Sequence, residues 1–208
     1  LENPSAGVVY GEGYHVVENG DVWGRYPSQP FSAETFSRNC YICQPAAFMW
    51  ADVFESAGMM NPGVIALDYD LWIRIYRQGH LLLKIDDDLA TSRMYGDNKT
   101  LRARGAVYRD IIAIVKRHFG YVPYDWLFGY ACYLVDRRDQ FFEPTSPSFA
   151  KMLCALALGV HHNRGHVRRY VREWAGQVGL MTHFSGRWED GWISKHYAQE
   201  FAVAGKCR

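Results

Sequence analysis

A chain of 208 residues with 23 lysines and arginines against 22 acids has a formal charge of +1, so its overall charge gives no argument for nucleic acid. At 49% hydrophobic and 22% charged it lies near the globular average, which argues against disorder. Five cysteines, an odd count without the spacing of a secreted disulfide scaffold, point to a reducing, cytoplasmic setting.

The first third reads as strands and turns. Residues 7–17 form a predicted strand, Asn19-Gly20 carries the tight-hairpin signal, and residues 22–26 return. Pro27 and Pro30 punctuate the loop, and Ser32 is placed to cap a short helix through Arg38. Residues 39–49 read as a buried strand broken at Pro45. Cys40 and Cys43 within it form a lone C-x-x-C; a zinc site needs two further ligands at matching spacing. They are therefore read as strand residues. Residues 51–57 give a short helix ended by Gly58.

The run Leu67-Asp68-Tyr69-Asp70-Leu71-Trp72-Ile73-Arg74 is the most informative stretch. It places two carboxylates at a helix start, where Asp68 or Asp70 can cap unpaired backbone N–H groups. Trp72, Ile75 and Tyr76 share one face, Arg74, Arg77 and Gln78 another, and Gly79 stops the helix. Capping and the helix dipole are the plain reading of the two acids; a general base is the functional one. Asp68-Tyr69-Asp70 also spells the D-x-D pattern that binds metal and nucleotide, but its position opening a helix argues against that use.

An apolar strand over residues 81–85 runs into Asp86-Asp87-Asp88 and extends to about Met94. Clustered oxygens suit a hard cation, although a solvated strand end is the plainer reading. Val107, Ile111, Ile114, Val115 and His118 then mark an amphipathic helix, with Gly120 behind it. Trp126, Tyr130 and Leu134 continue the pattern beyond Pro123, and residues 144–148 form a linker. Two more helices cover residues 149–160 and 167–178.

His161, His162, Arg164, His166, Arg168, Arg169 and Arg172 form a basic cluster, in which Arg164, Arg168 and Arg172 share a helix face by spacing. Such a helix suits an anionic membrane or phosphates, with a solvated face as the plainer reading. The Gly- and Trp-rich stretch after Gly179 reads as loops or short strands. No apolar run is long enough to span a bilayer. Walker, G-x-G-x-x-G and G-x-S-x-G motifs are lacking, and Gly11-Glu12-Gly13 is an isolated pair of glycines in a strand. Leu1 in place of a start methionine suggests a piece of a longer protein. The fold class expected is α/β, mixed in front and helical behind.

Taken in order, Val9-Tyr10-Gly11, Gln44-Pro45-Ala46-Ala47-Phe48, the run 68–74, Leu89-Ala90, Arg93 and Lys99-Thr100 resemble the family-2 inverting glycosyltransferases. Phe119-Gly120-Tyr121-Val122-Pro123 and Trp126 resemble the helical tail of bacterial members. The likeness covers roughly residues 8–135 and weakens towards 193. It implies the C-terminal half of a GT-A-type mixed sheet followed by a helical subdomain. Residues 1–100 would be the acceptor-side part, 101–180 the helical subdomain and 181–208 an irregular tail.

The resemblance implies that a sugar moves from a nucleotide-sugar donor to a hydroxyl of a glycan or lipid-linked acceptor, with inversion, in bacterial polysaccharide biosynthesis at the inner face of the membrane. Asp68 would be the general base, with Leu67 where glutamate is frequent. Gln44, Pro45 and Ala46 would line the sugar and acceptor cleft. Asp70 and Trp72 would stand beside the substrate, Trp72 as support for the base before sugar stacking. Arg93 and Lys99 would meet phosphate charge. The family's nucleotide-binding half, whose D-x-D holds Mg or Mn, has no counterpart here, so a divalent metal is expected in the full-length enzyme and none on this chain alone. Tyr95 stands where a metal-assisting histidine is frequent. The chain alone is expected to be inactive.

A non-catalytic carbohydrate-binding or interaction module is the alternative. Trp23, Trp50, Trp188 and Trp192 are its candidate stacking rings.

Overall fold

The computed structural model describes residues 6–17, 19–94, 102–137 and 148–183, with side chains to residue 178. The architecture is mixed α/β, and the chain falls into two compact units. One comprises Leu1–Phe36 with Cys40–Arg102, the other Ser37–Asn39 with Ala103–Arg208.

In the first unit the central strand is β1 (Ala6–Val16), buried along nearly its whole length. It pairs antiparallel with β2 (Val22–Arg25) and β3 (Ala47–Met49), and parallel with β4 (Leu81–Arg93). The β1–β2 hairpin turns at Asn19-Gly20, where Gly20 has φ +92° and Asp21 donates its N–H to Asn19 Oδ1. Three short or medium helices belong with it: α1 (Ala33–Arg38), whose last two residues count with the second unit, α2 (Ala51–Ser56) and α3 (Leu67–Arg77).

Two expectations are corrected here. Residues 39–43 form no strand; Pro45, lacking an N–H, sits in a 3-10 turn over Gln44–Ala46, and only Ala47–Met49 pairs with β1. Tyr41, Ile42 and Cys43 are nonetheless wholly buried, which is why the stretch reads as a core strand. The Asp86–Asp88 triplet is not a strand end but the middle of β4. Tyr10 faces Lys84 and Glu12 faces Asp88, so β4 carries extra residues opposite Gly11. A Cβ on Gly11 would lie 2.5 Å from the Asp87 carbonyl, so glycine is what lets β4 bulge there.

Much of the aromatic content goes into this core. Phe36 packs edge-on to Tyr41 at 5.1 Å and lies 5.0 Å from Tyr69, whose hydroxyl donates to the Phe36 carbonyl.

The second unit is helical: α4 (Arg104–Phe119), α5 (Tyr124–Asp136), α6 (Phe149–His162), a 3-10 turn over Arg164–His166, and α7 (Val167–His183). Its core gathers Ile112, Val122, Leu127, Met152, Ala155 and Tyr170. Asn163, fully buried, accepts the Val122 N–H and returns a bond to the Val122 carbonyl, clamping the α4–α5 junction onto the end of α6. Arg38 is held here by Asp125 at 2.8 Å and by Glu173. The helix at 167 runs on to His183, past the predicted boundary of an irregular tail. Arg164 lies in the 3-10 turn before that helix, so it is not on one α-helical face with Arg168 and Arg172.

Candidate functional site

The start of α3 assigns different roles to its two acids. The N-cap is Ala66, with no side-chain cap, so neither aspartate caps the helix as expected. The helix begins two residues earlier than a capping Asp68 requires. Asp68 is therefore the second helical residue, and its Oδ1 accepts the Tyr69 N–H at 2.8 Å. Asp68 is recessed but retains some exposure. Burial raises its carboxyl above the ordinary aspartate range, opposed by backbone N–H groups of the first turn. No lysine or arginine among the described residues forms an ion pair with it.

Asp70 points elsewhere. It is 2% exposed, and its Oδ2 receives the Arg74 Nε at 2.8 Å, one helical turn on. Arg74 also donates to the Ala57 and Met59 carbonyls, holding the turn after α2, where Met59 has φ +55°. Asp70, expected beside a substrate, is here the buried ion-pair partner of Arg74. Trp72 is 1% exposed and its indole Nε1 meets no hydrogen-bond partner among the described residues. That burial leaves it as core support with no stacking face.

Cys40 and Cys43 lie within electrostatic reach of Asp68. Burial, then the Asp68 charge, holds the Cys40 thiol well above its usual value. Burial likewise pushes Cys43 up to about 11 despite an opposing backbone hydrogen bond, with Asp68 and Glu12 adding to the rise. Both thiols stay protonated at neutral pH, the form least suited to metal ligation or disulfide exchange. Directly after Cys43, Gln44 and Pro45 are exposed and Ala46 is buried, in a turn that packs on β1 and β4. The structure thus gathers Asp68 with the Cys43–Gln44 corner. Arg93 is exposed at the far end of β4, opposite Val16. Lys99 and Tyr95 lie outside the described residues.

One group of charges went unread in the sequence. Glu12, 7% exposed on β1, meets Lys84 at 2.6 Å and Arg25 at 3.6 Å. Lys84 reaches Asp86 at 2.6 Å, while Arg25 and the Tyr14 hydroxyl reach Asp88. Burial alone would lower the Lys84 ammonium, but its bonds to Asp86 and Glu12 outweigh that and raise it. Two of the three acids, Asp86 and Asp88, are therefore paired with cations of the sheet. The available signals were a glutamate between two glycines in a buried strand and a lysine inside an apolar run.

No protein-family model, curated protein or solved structure matches the chain. Among the described residues, no cluster of histidine, cysteine and carboxylate side chains is arranged to hold a metal ion. Asp68 and Asp70 do not converge as a D-x-D ligand pair, because Asp70 is committed to Arg74. No described helix is long and apolar enough to cross a membrane.

A second feature lies at the other end of α3. Ala6, Gly7, Trp50, Asp52, Val53, Gln78, Gly79 and His80 line an open cavity of about 580 Å³. Trp50 is 50% exposed there. Trp23, by contrast, is half-buried, 6.2 Å from the His15 ring, and Trp188 and Trp192 lie outside the described residues.

Proposed function

We propose that this chain is the acceptor-side portion of an inverting glycosyltransferase of GT-A type, with Asp68 as general base. One observation carries the reading: of two aspartates in one helical turn, Asp70 is consumed by a buried ion pair. Asp68 is left recessed, with no cation paired to it among the described residues. A carboxylate held above its ordinary range is a stronger proton acceptor, suited to an acceptor hydroxyl as its oxygen attacks the anomeric carbon. The proton passes to Asp68, the new C–O bond forms on one face of the sugar, and the bond to the nucleotide diphosphate breaks on the other. In this reading the exposed Gln44 and Pro45 beside this corner line the acceptor cleft. The described residues do not form a divalent-cation site, and no step is routed through one.

The test is transfer from nucleotide-sugars by the protein as its gene encodes it. Asp68→Asn is expected to lower turnover by at least 100-fold with the fold intact, the range for loss of a general base. Turnover within a fewfold of the parent would refute the assignment.

A glycan-binding module is the second reading, favoured by the cavity at Trp50. A half-exposed indole beside Asp52, Gln78 and His80 combines a stacking face with polar groups. Glycan binding that survives Asp68→Asn and fails with Trp50→Ala would favour it.

A further inference from the structure

The chain as a whole is nearly neutral, yet between Val160 and Arg172 it carries four arginines, three histidines and no acid. The fold adds to this asymmetry. The Asn163–Val122 clamp brings the end of α4 against the end of α6 and the start of α7. Arg169 lies over the Tyr121 ring at 3.9 Å, and His166 meets the same ring edge-on. Lys116 and Arg117, in the last turn of α4, thereby join the same end of the helical unit as Arg164, Arg168 and Arg172. Lys116 is near enough to His162 to help hold its imidazole below the ordinary range, behind burial and His161.

Among the described residues, no acid is paired with the exposed arginines of this end. Glu173 is the acidic residue nearest in sequence, and it is tied to Arg38 and the Tyr121 hydroxyl. Arg164, Arg168 and Arg172 are exposed and form no ion pair with a described residue. Exposed valines sit among them: Val160 at 40% and Val171 at 38%. An ordinary solvated face interleaves acids with its bases; this end does not.

We propose that this cationic end of the helical unit docks on an anionic phospholipid bilayer. Charge complementarity selects the partner class, since arginines near a negative leaflet each add to binding. The two valines can enter the headgroup boundary, as on an interfacial helix. The patch exposes His161 and His166, but among the described residues it presents no exposed Trp, Tyr or Phe ring, the broad platform on which nucleic-acid bases stack. The proposal is independent of the transferase reading.

The experiment is sedimentation of the full chain with vesicles of phosphatidylcholine alone, or containing about one third phosphatidylglycerol. Binding is expected only to the anionic vesicles and should fall as salt rises. The combined variant Arg164→Glu, Arg168→Glu, Arg172→Glu should lose about 100-fold in partitioning, and Arg-to-Gln at the same positions should lose less. Circular dichroism of each variant checks that the helices persist. Equal binding to neutral vesicles, no binding to either, or unchanged partitioning of the reversed variant would overturn the proposal. So would tighter retention of an RNA duplex by the same arginines at matched salt.

Discussion

Asparagine at Asp68 and at Asp70 should shift stability in opposite directions, although the two residues are one helical turn's neighbours. Asp70 is 2% exposed and bonded to an Arg74 that is itself only 22% exposed. Removing one partner of a buried pair costs about 3–5 kcal/mol. Here the cost is moderated: Arg74 keeps some water and the carbonyls of Ala57 and Met59, and the amide oxygen can still accept its Nε. Asp70→Asn should therefore cost roughly 2–3 kcal/mol. Mere loss of a cap would cost about 1 kcal/mol.

Asp68→Asn keeps an acceptor for the Tyr69 N–H and relieves a buried charge, at the loss of about 0.3–1 kcal/mol of favourable helix-dipole interaction. The expected result is unchanged stability or a gain of up to about 1 kcal/mol. The carboxyl is raised in the fold, so the folded chain takes up this proton at higher pH than the unfolded chain does. Its contribution to stability is present at low pH and lost as pH rises through the raised value. The advantage of Asp68→Asn should accordingly be larger at neutral pH than in acid. Urea unfolding followed by circular dichroism measures both. If Asp70→Asn stays within about 0.5 kcal/mol of the parent, or Asp68→Asn is equally damaging, the division of roles is wrong.

Two further predictions test the frame around the site. Burial in β1 pushes the His15 imidazole down to about 4, so between the ordinary value and that one the unfolded chain binds a proton the fold refuses. Stability should drop by roughly 2 kcal/mol from pH 7 to about pH 4.5, and His15→Phe should flatten that slope in urea titrations at the two pH values. In the helical unit, a Cβ on Gly159 would lie 1.7 Å from the Tyr170 ring, whereas one on Gly176 meets nothing within 4 Å. Thermal unfolding should show Gly159→Ala costing about 3 kcal/mol or more from overpacking, and Gly176→Ala gaining about 1 kcal/mol from helix propensity.

Local signals carried much of the fold. The Asn19-Gly20 hairpin, the stop at Gly79 with φ +90° and the stop at Gly120 with φ +71° are all set by short-range backbone chemistry. Residues 39–43 show the limit of that reasoning. An apolar run buried among Phe36, Tyr69 and the 3-10 turn looks the same in sequence as one hydrogen-bonded into a sheet, because burial and strand pairing are separate facts. The site was legible only in part. Spacing brought Asp68 and Asp70 to one helix start, but not the direction of each carboxylate. That depends on Arg74 and on a turn 15 residues upstream of it. The pairing of Glu12 with Lys84 spans β1 and β4, and the bulge opposite Gly11 shifts their register in a way no periodicity reveals.

The two functional readings can be separated because they occupy opposite ends of one rigid element. Asp68 belongs to the first turn of α3, while Gln78, Gly79 and His80 of the Trp50 cavity follow its last turn. At 1.5 Å per residue, that places them about 15 Å apart along the helix axis. A truncation at Trp50 removes an exposed ring and leaves Asp68 and its electrostatic neighbours Cys40 and Cys43 untouched. Asp68→Asn changes a charge that the cavity does not contain. Loss of transfer with glycan binding retained would then place chemistry at the N-terminal end of α3. Loss of glycan binding in Trp50→Ala alone would place recognition at the other end. Both losses together would describe one protein that binds a glycan at one end of the helix and acts at the other.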